Sequence, residues 1–264
     1  MRAGEFIESR CRALISGARK SFLAVREGVD PEALHDFRVH VRRLRAVLRT
    51  IAPPYYEYPS GTIGKLLGSL ARSTGEIRDR EVFLELLLGL DDSVISGPRR
   101  SALYTTEKYI YQEKMREFLR YAESSDIFHP FTLLESMLRL PVDPDLDGPA
   151  GRFAEEIAQK NIQDLDKKMK KLKAALSSPE KLHKLRIQAK RTRYVIDFYA
   201  DLLPGRLLQS DRARHIQNLT GRVQDCAVLS GYLDSILLGV EEKVRLFGHI
   251  EAQREEALRA LSAL

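Results

Sequence analysis

Leu34-His35-Asp36-Phe37-Arg38-Val39-His40-Val41-Arg42-Arg43-Leu44-Arg45-Ala46-Val47-Leu48-Arg49 sets two stripes side by side on one helix. At 3.6 residues per turn, His35, Arg38, Arg42, Arg45 and Arg49 share an arc of about 80°. Leu34, Phe37, Val41, Leu44 and Leu48 fill the adjoining arc, the face that such a helix buries. The basic stripe therefore flanks the core and points into a groove rather than fully into water. Cations at i, i+3 and i+7 repel one another, and an ordinary solvated face intersperses acids to relieve this. No acid interrupts this stripe. Such repulsion makes sense when a polyanion offsets it. Arginine suits phosphate, because its planar fork donates two parallel hydrogen bonds.

The pattern returns 148 residues later as Leu182-His183-Lys184-Leu185-Arg186. The same offset carries Arg42 to Lys190, Arg43 to Arg191, Arg45 to Arg193 and Leu48 to Ile196. His183, Arg186, Lys190 and Arg193 share a basic arc in turn. Asp197 stands where the first copy has Arg49, and Gln188 where it has His40. A second block follows each time: Gly75-Glu76-Ile77-Arg78-Asp79 is answered 146 residues on by Gly221-Arg222-Val223-Gln224-Asp225. Two ordered blocks at nearly one offset predict an internal duplication. The competing reading pairs these cations with carboxylates of neighbouring helices, such as Asp79 or Asp225.

Outward from these blocks, helical periodicity dominates and no clean strand pattern appears, so the fold class is all-α. Asp30-Pro31-Glu32 predicts a helix start, and Ser177 with Glu180 has capping-box spacing. Pro53-Pro54 and Pro204-Gly205 predict helix ends, with further breaks at 53–59, 89–98 and 124–130. Residues 141–149 hold three prolines, three aspartates and a glycine, and predict a connector. The expected organisation is a first bundle repeat over 1–140, the connector, and a second over 150–264, with nine to eleven helices. Hydrophobic residues make up 44% of the 264, enough for a sizeable core. The formal charge of +6 divides evenly between the halves. No basic tail produces it, and an anion site should draw on both halves.

The remaining features narrow the function. Cys11 and Cys226 form no motif, which suits a reducing compartment. No signal peptide or membrane-length apolar run is visible, so the expected location is cytoplasmic, away from membranes. No P-loop, nucleophile elbow or H-E-x-x-H occurs, and cations crowd His35 and His183. No catalytic residue, cofactor or metal is expected. The run Lys167–Lys173 reads as a solvated face or the rim of an anion site. Sequence-independent nucleic-acid binding is the chief rival, since basic helices bind phosphate backbones of any kind. Single-strand binders add stacking aromatics, however, and neither stripe carries one. Nucleic acid is therefore expected only as a weak competitor.

At the His35-x-x-Arg38-x-x-x-Arg42-Arg43-x-Arg45 and Arg78-Asp79 blocks, and at their second copies, the chain resembles the CHAD family. The resemblance implies two pseudo-symmetric helical bundles around a basic central channel that binds inorganic polyphosphate without catalysis. It also implies companions among polyphosphate-metabolising enzymes or polyphosphate granules, and leaves open an accessory or regulatory subunit of such an enzyme. Carried over, the phosphate contacts are His35, Arg38, Arg42, Arg45, Arg49, His183, Arg186, Lys190 and Arg193. Arg72, Arg78 and Arg214 match basic positions around the second blocks. No segment resembles the β-rich phosphohydrolase domain to which such chains are often joined.

Overall fold

The computed structural model describes all residues except 29, 31, 50–56, 141–145, 174–177 and 234–237, and side chains except also 57, 58 and 173. Among the described residues ten α-helices follow one another: α1 (Ala3–Glu27), α2 (Ala33–Leu48), α3 (Glu57–Ser73), α4 (Gly75–Gly89), α5 (Gly97–Ser124), α6 (His129–Met137), α7 (Ala150–Lys173), α8 (Pro179–Phe198), α9 (Leu207–Leu233) and α10 (Val240–Ser262). No strand occurs among the described residues, only an isolated bridge between Arg2 and Pro149. The all-α expectation holds, and α4, α5 and α6 part within 89–98 and 124–130 as expected. Of the 53–59 break, residues 57–59 instead open α3, and the rest lie outside the described residues. α8 already ends at Phe198, before Pro204-Gly205, which sit in a 3-10 turn.

Local chemistry accounts for the ends. α1 stops at Gly28, whose left-handed φ of 66° lets its N–H reach the Ala24 and Val25 carbonyls. Ahead of α2, the Asp30 carboxylate accepts the Glu32 N–H at 2.8 Å. Asp30 thus organises the start, although the helix proper begins at Ala33. Pro31, Pro53-Pro54 and Ser177 lie outside the described residues. Beside Ser177, the Ser178 hydroxyl accepts the Lys181 N–H at 3.4 Å. The described part of the connector is tied to the N-terminus: Ala3 N–H donates to the Gly148 carbonyl, and Arg2 pairs with Asp147.

The chain forms two compact units of interleaved segments. The first comprises Met1–Thr74, Leu119–Leu165 and Lys190–Ala213; the second comprises Gly75–Phe118, Asp166–Ala189 and Arg214–Leu264. Each unit draws on both sequence repeats. In the first, α1 packs on α2, α2 on α3, and α3 on α6. Phe37, Val41, Leu44 and Leu48 are buried as the apolar arc predicts. Each such side chain contributes about 1.5–3 kcal/mol by leaving water. Phe22 anchors this layer, with its ring 5.6 Å from Phe37 and 5.5 Å from Phe128. In the second unit, Phe83, Leu87, Leu229, Leu233, Leu246 and Ile250 form one cluster. Glu107, nearly inaccessible, is neutralised there by Arg80.

Candidate functional site

The α2 stripe and α3 meet within the first unit. Because the apolar arc of α2 is buried, the adjoining basic arc is carried to the edge of the α2–α3 seam. There Arg45 and Arg49 of α2 face Lys65 and Arg72 of α3 across a cavity of about 590 Å³. Ser60 and Ser69 add hydroxyls, Gly61, Gly64 and Gly68 line the α3 side, and among the described lining residues none is a carboxylate. Arg45 is half-buried, and its proton affinity is lowered first by burial, then by the charges of Arg49 and Arg72. Like charges have therefore been folded close enough to oppose one another. Arg72 donates to the Ser69 hydroxyl at 2.8 Å, which steadies its fork. Arg191 of α8 adds a further cation: its Nη2 reaches the Arg49 carbonyl at 3.4 Å, and burial and the Arg49 charge lower its proton affinity.

The other predicted residues meet different fates. Arg38 sits on the stripe, but its Nη1 donates to the carbonyl and hydroxyl of Thr74 and, at 3.4 Å, to the Ala71 carbonyl. It closes the C-terminal end of α3, whose last carbonyls lack intrahelical partners. Arg42 is half-buried, and His35 is exposed at the opposite end of the stripe from Arg49. Fourteen residues of helix separate those two by about 21 Å.

The second stripe is shared out: His183 and Arg186 belong to the second unit, Lys190 and Arg193 to the first. Arg186 lies against Gly221, and its buried Nε meets no acceptor among the described residues. Arg193 pairs with Asp197 at 3.3 Å and rests 5.5 Å from the Tyr194 ring centre. Asp197 also accepts the Ser210 hydroxyl at 2.6 Å. His183 and Arg214 are exposed, and Lys190 is half-buried.

Arg78 is tied to its own helix by Glu81 and Glu85, each at 3.2 Å. Burial works against its charge, but the two carboxylates outweigh it and raise its proton affinity. The Lys167–Lys173 run buries Met169 and Leu172 while Lys167, Lys170 and Lys171 stay exposed, an ordinary amphipathic pattern. Among the described residues no group of histidines, cysteines and carboxylates is placed to hold a metal ion. No helix among them is long and apolar enough to cross a membrane.

Sequence reading passed over Lys65, Ser60 and Ser69, and placed Arg191 in the repeat without counting it among the phosphate contacts. A signal for Lys65 was present: it stands seven residues before Arg72, on the wheel face that also carries Glu57, Gly61, Gly64 and Gly68.

A sequence model of the CHAD domain matches residues 11–234, which carry both stripes and both second blocks. The chain belongs to the CHAD domain family. Solved structures agree on the fold. The crystal structure of the CHAD domain from the plant Ricinus communis superposes with a TM-score of 0.69 at 23% identity, covering 98% of this chain and 86% of that one. PptA from Streptomyces chartreusis gives the same TM-score at 17% identity, covering 100% and 98%. No protein with curated function matches the sequence. In this CHAD domain the convergent cations belong to α2, α3 and the middle of α8, all within one compact unit.

Proposed function

We propose that this CHAD domain binds inorganic polyphosphate without transforming it, and that the α2–α3 cavity is a principal contact. The observation that carries the reading is the convergence of Arg45, Arg49, Lys65 and Arg72 on one space, with no carboxylate among the described lining residues. A surface built only for stability would not leave such charges facing one another, because each close like pair opposes folding. A polymer of phosphates relieves that repulsion and fills the guanidinium forks bidentately. The polar groups of the described lining are guanidiniums, an ammonium and hydroxyls, the donor set of an anion site. The cytoplasm, polyphosphate granules and polyphosphate-metabolising enzymes are the setting and partners proposed. The two sequence repeats are proposed to descend from one duplicated unit.

Calorimetric titration with long-chain polyphosphate tests the reading, against single-stranded and duplex nucleic acid of equal charge. Polyphosphate should bind more tightly than either, and its log affinity should fall linearly with log salt, as counterion release requires. Equal affinity for the nucleic acids would favour the rival reading. Affinity indifferent to salt would remove the electrostatic mechanism.

A further inference from the structure

The cavity beside α3 owes its depth to side chains that α3 lacks. Gly61, Gly64 and Gly68 all line it, interleaved with Lys65 and Arg72. On the helical wheel these five positions fall within about 100° of one another. Backbone geometry does not call for glycine there, since Gly28 alone among the described residues has positive φ. Packing among the described residues does not call for it at two of the three positions: a Cβ added at Gly61 or Gly64 would meet none of them within 4 Å. At Gly68 a Cβ would come within 3.1 Å of Arg45 Nη2 and 3.5 Å of Arg72 Nη1. Two guanidiniums thus lie over bare backbone. Glycine is a poor helix former, and three in one helix oppose its formation. What the glycines provide is the space itself, at the point where the cations converge.

Resting on the polyphosphate reading above, we infer that Gly61, Gly64 and Gly68 are specificity-determining residues. Gly61 and Gly64 keep the floor of the groove bare and Gly68 gives the Arg45 and Arg72 forks room to seat beside it, so that an unbranched chain of phosphates lies against the α3 backbone within reach of both forks. A phosphate chain carrying sugars and bases is too wide to settle as deeply, and its oxygens stop short of hydrogen-bonding distance. A methyl group on the floor lifts either polymer, but polyphosphate loses more because it alone reaches the bottom. Charge attracts any polyanion here; depth selects the slender one.

The test compares the double variant Gly61→Ala/Gly64→Ala with Gly248→Ala. Gly248 lies inside α10, and a Cβ there also meets nothing within 4 Å. Every alanine should favour its helix and raise the melting temperature by about 2–4 °C. The double variant should nonetheless bind long-chain polyphosphate about tenfold more weakly. Its affinity for a single-stranded oligodeoxynucleotide should change less, so the preference between the two polymers narrows. Gly248→Ala should keep the parent's affinities. A stabilised double variant that binds and discriminates like Gly248→Ala overturns the inference and leaves the polyphosphate reading standing. A parent chain that binds no polyphosphate overturns both.

Discussion

The α2 and α8 stripes start from nearly the same residues and arrive at different electrostatic states. On α2, the stripe ends in Arg45 and Arg49, which meet Lys65 and Arg72 at a cavity with no carboxylate among its described lining residues. On α8, the corresponding turn ends in Arg193 and Asp197, and those two close on each other. One substitution in the pattern, aspartate for arginine, turns a repelling end into a satisfied one. The second blocks differ as well. Between α3 and α4 the chain breaks at Thr74, and Arg38 binds the freed end of α3. At the matching place α9 runs on unbroken through Thr220 and Gly221, whose bare backbone lies beside Arg186. Repeated sequence therefore did not repeat its contacts. In one region the motif arginine is a structural clasp; in the other it has a buried Nε with no acceptor among the described residues.

The largest effect expected from this contrast concerns the cavity. Arg45→Glu with Arg72→Glu puts two carboxylates where two forks converge, and should weaken polyphosphate binding by roughly a hundredfold or more. Arg78→Ala, whose charge is already met by Glu81 and Glu85, should cost far less affinity. Titration calorimetry on folded variants, checked by circular dichroism, measures both. If Arg78→Ala proves as damaging as the cavity pair, the contrast between converging and paired cations is wrong.

Stability should separate the two clasps. Arg38→Ala removes charged hydrogen bonds from the end of α3 and leaves buried Thr74 short of a partner, a loss of about 1–3 kcal/mol in denaturant unfolding. Arg186→Ala should lose markedly less, because no comparable bond ties it to a helix end. Equal losses would show that the two motif positions do the same structural work after all.

How much of this was legible in the sequence follows from the range of each interaction. Helix breaks are local, and 89–98 and 124–130 lie where α4, α5 and α6 part. The apolar arc of α2 is a wheel property, so Phe37, Val41, Leu44 and Leu48 were readable as core. The pairing of Arg78 with Glu81 was readable too, three residues apart on one helix, although the Arg-Asp block drew attention elsewhere. What could not be read was tertiary. Nothing in α2 alone says that Arg38 will reach Thr74, or that α3 will present its glycine face to Arg45. The interleaving of the units is likewise set by which helices pack, and sequence halves carry no trace of it.

The smallest effect is the most direct probe of the comparison. Asp197→Asn keeps the size of the side chain and an oxygen for the Ser210 hydroxyl, yet removes the charge that holds Arg193. The Tyr194 ring still supports the guanidinium, so Arg193 should stay near its present place with one carboxylate fewer opposing an incoming phosphate. The ion pair is partly exposed and worth about 1 kcal/mol or less, so affinity for polyphosphate should rise only about two- to fivefold. Salt dependence is the sharper reading. Each phosphate newly contacted adds up to about 0.9 to the slope of log affinity against log salt. A steeper slope would mean that α8 reaches the polymer and that the Asp197 charge holds its end back. An unchanged slope and affinity would mean that Arg193 lies off the polymer's path. The two stripes would then differ in function and not merely in charge.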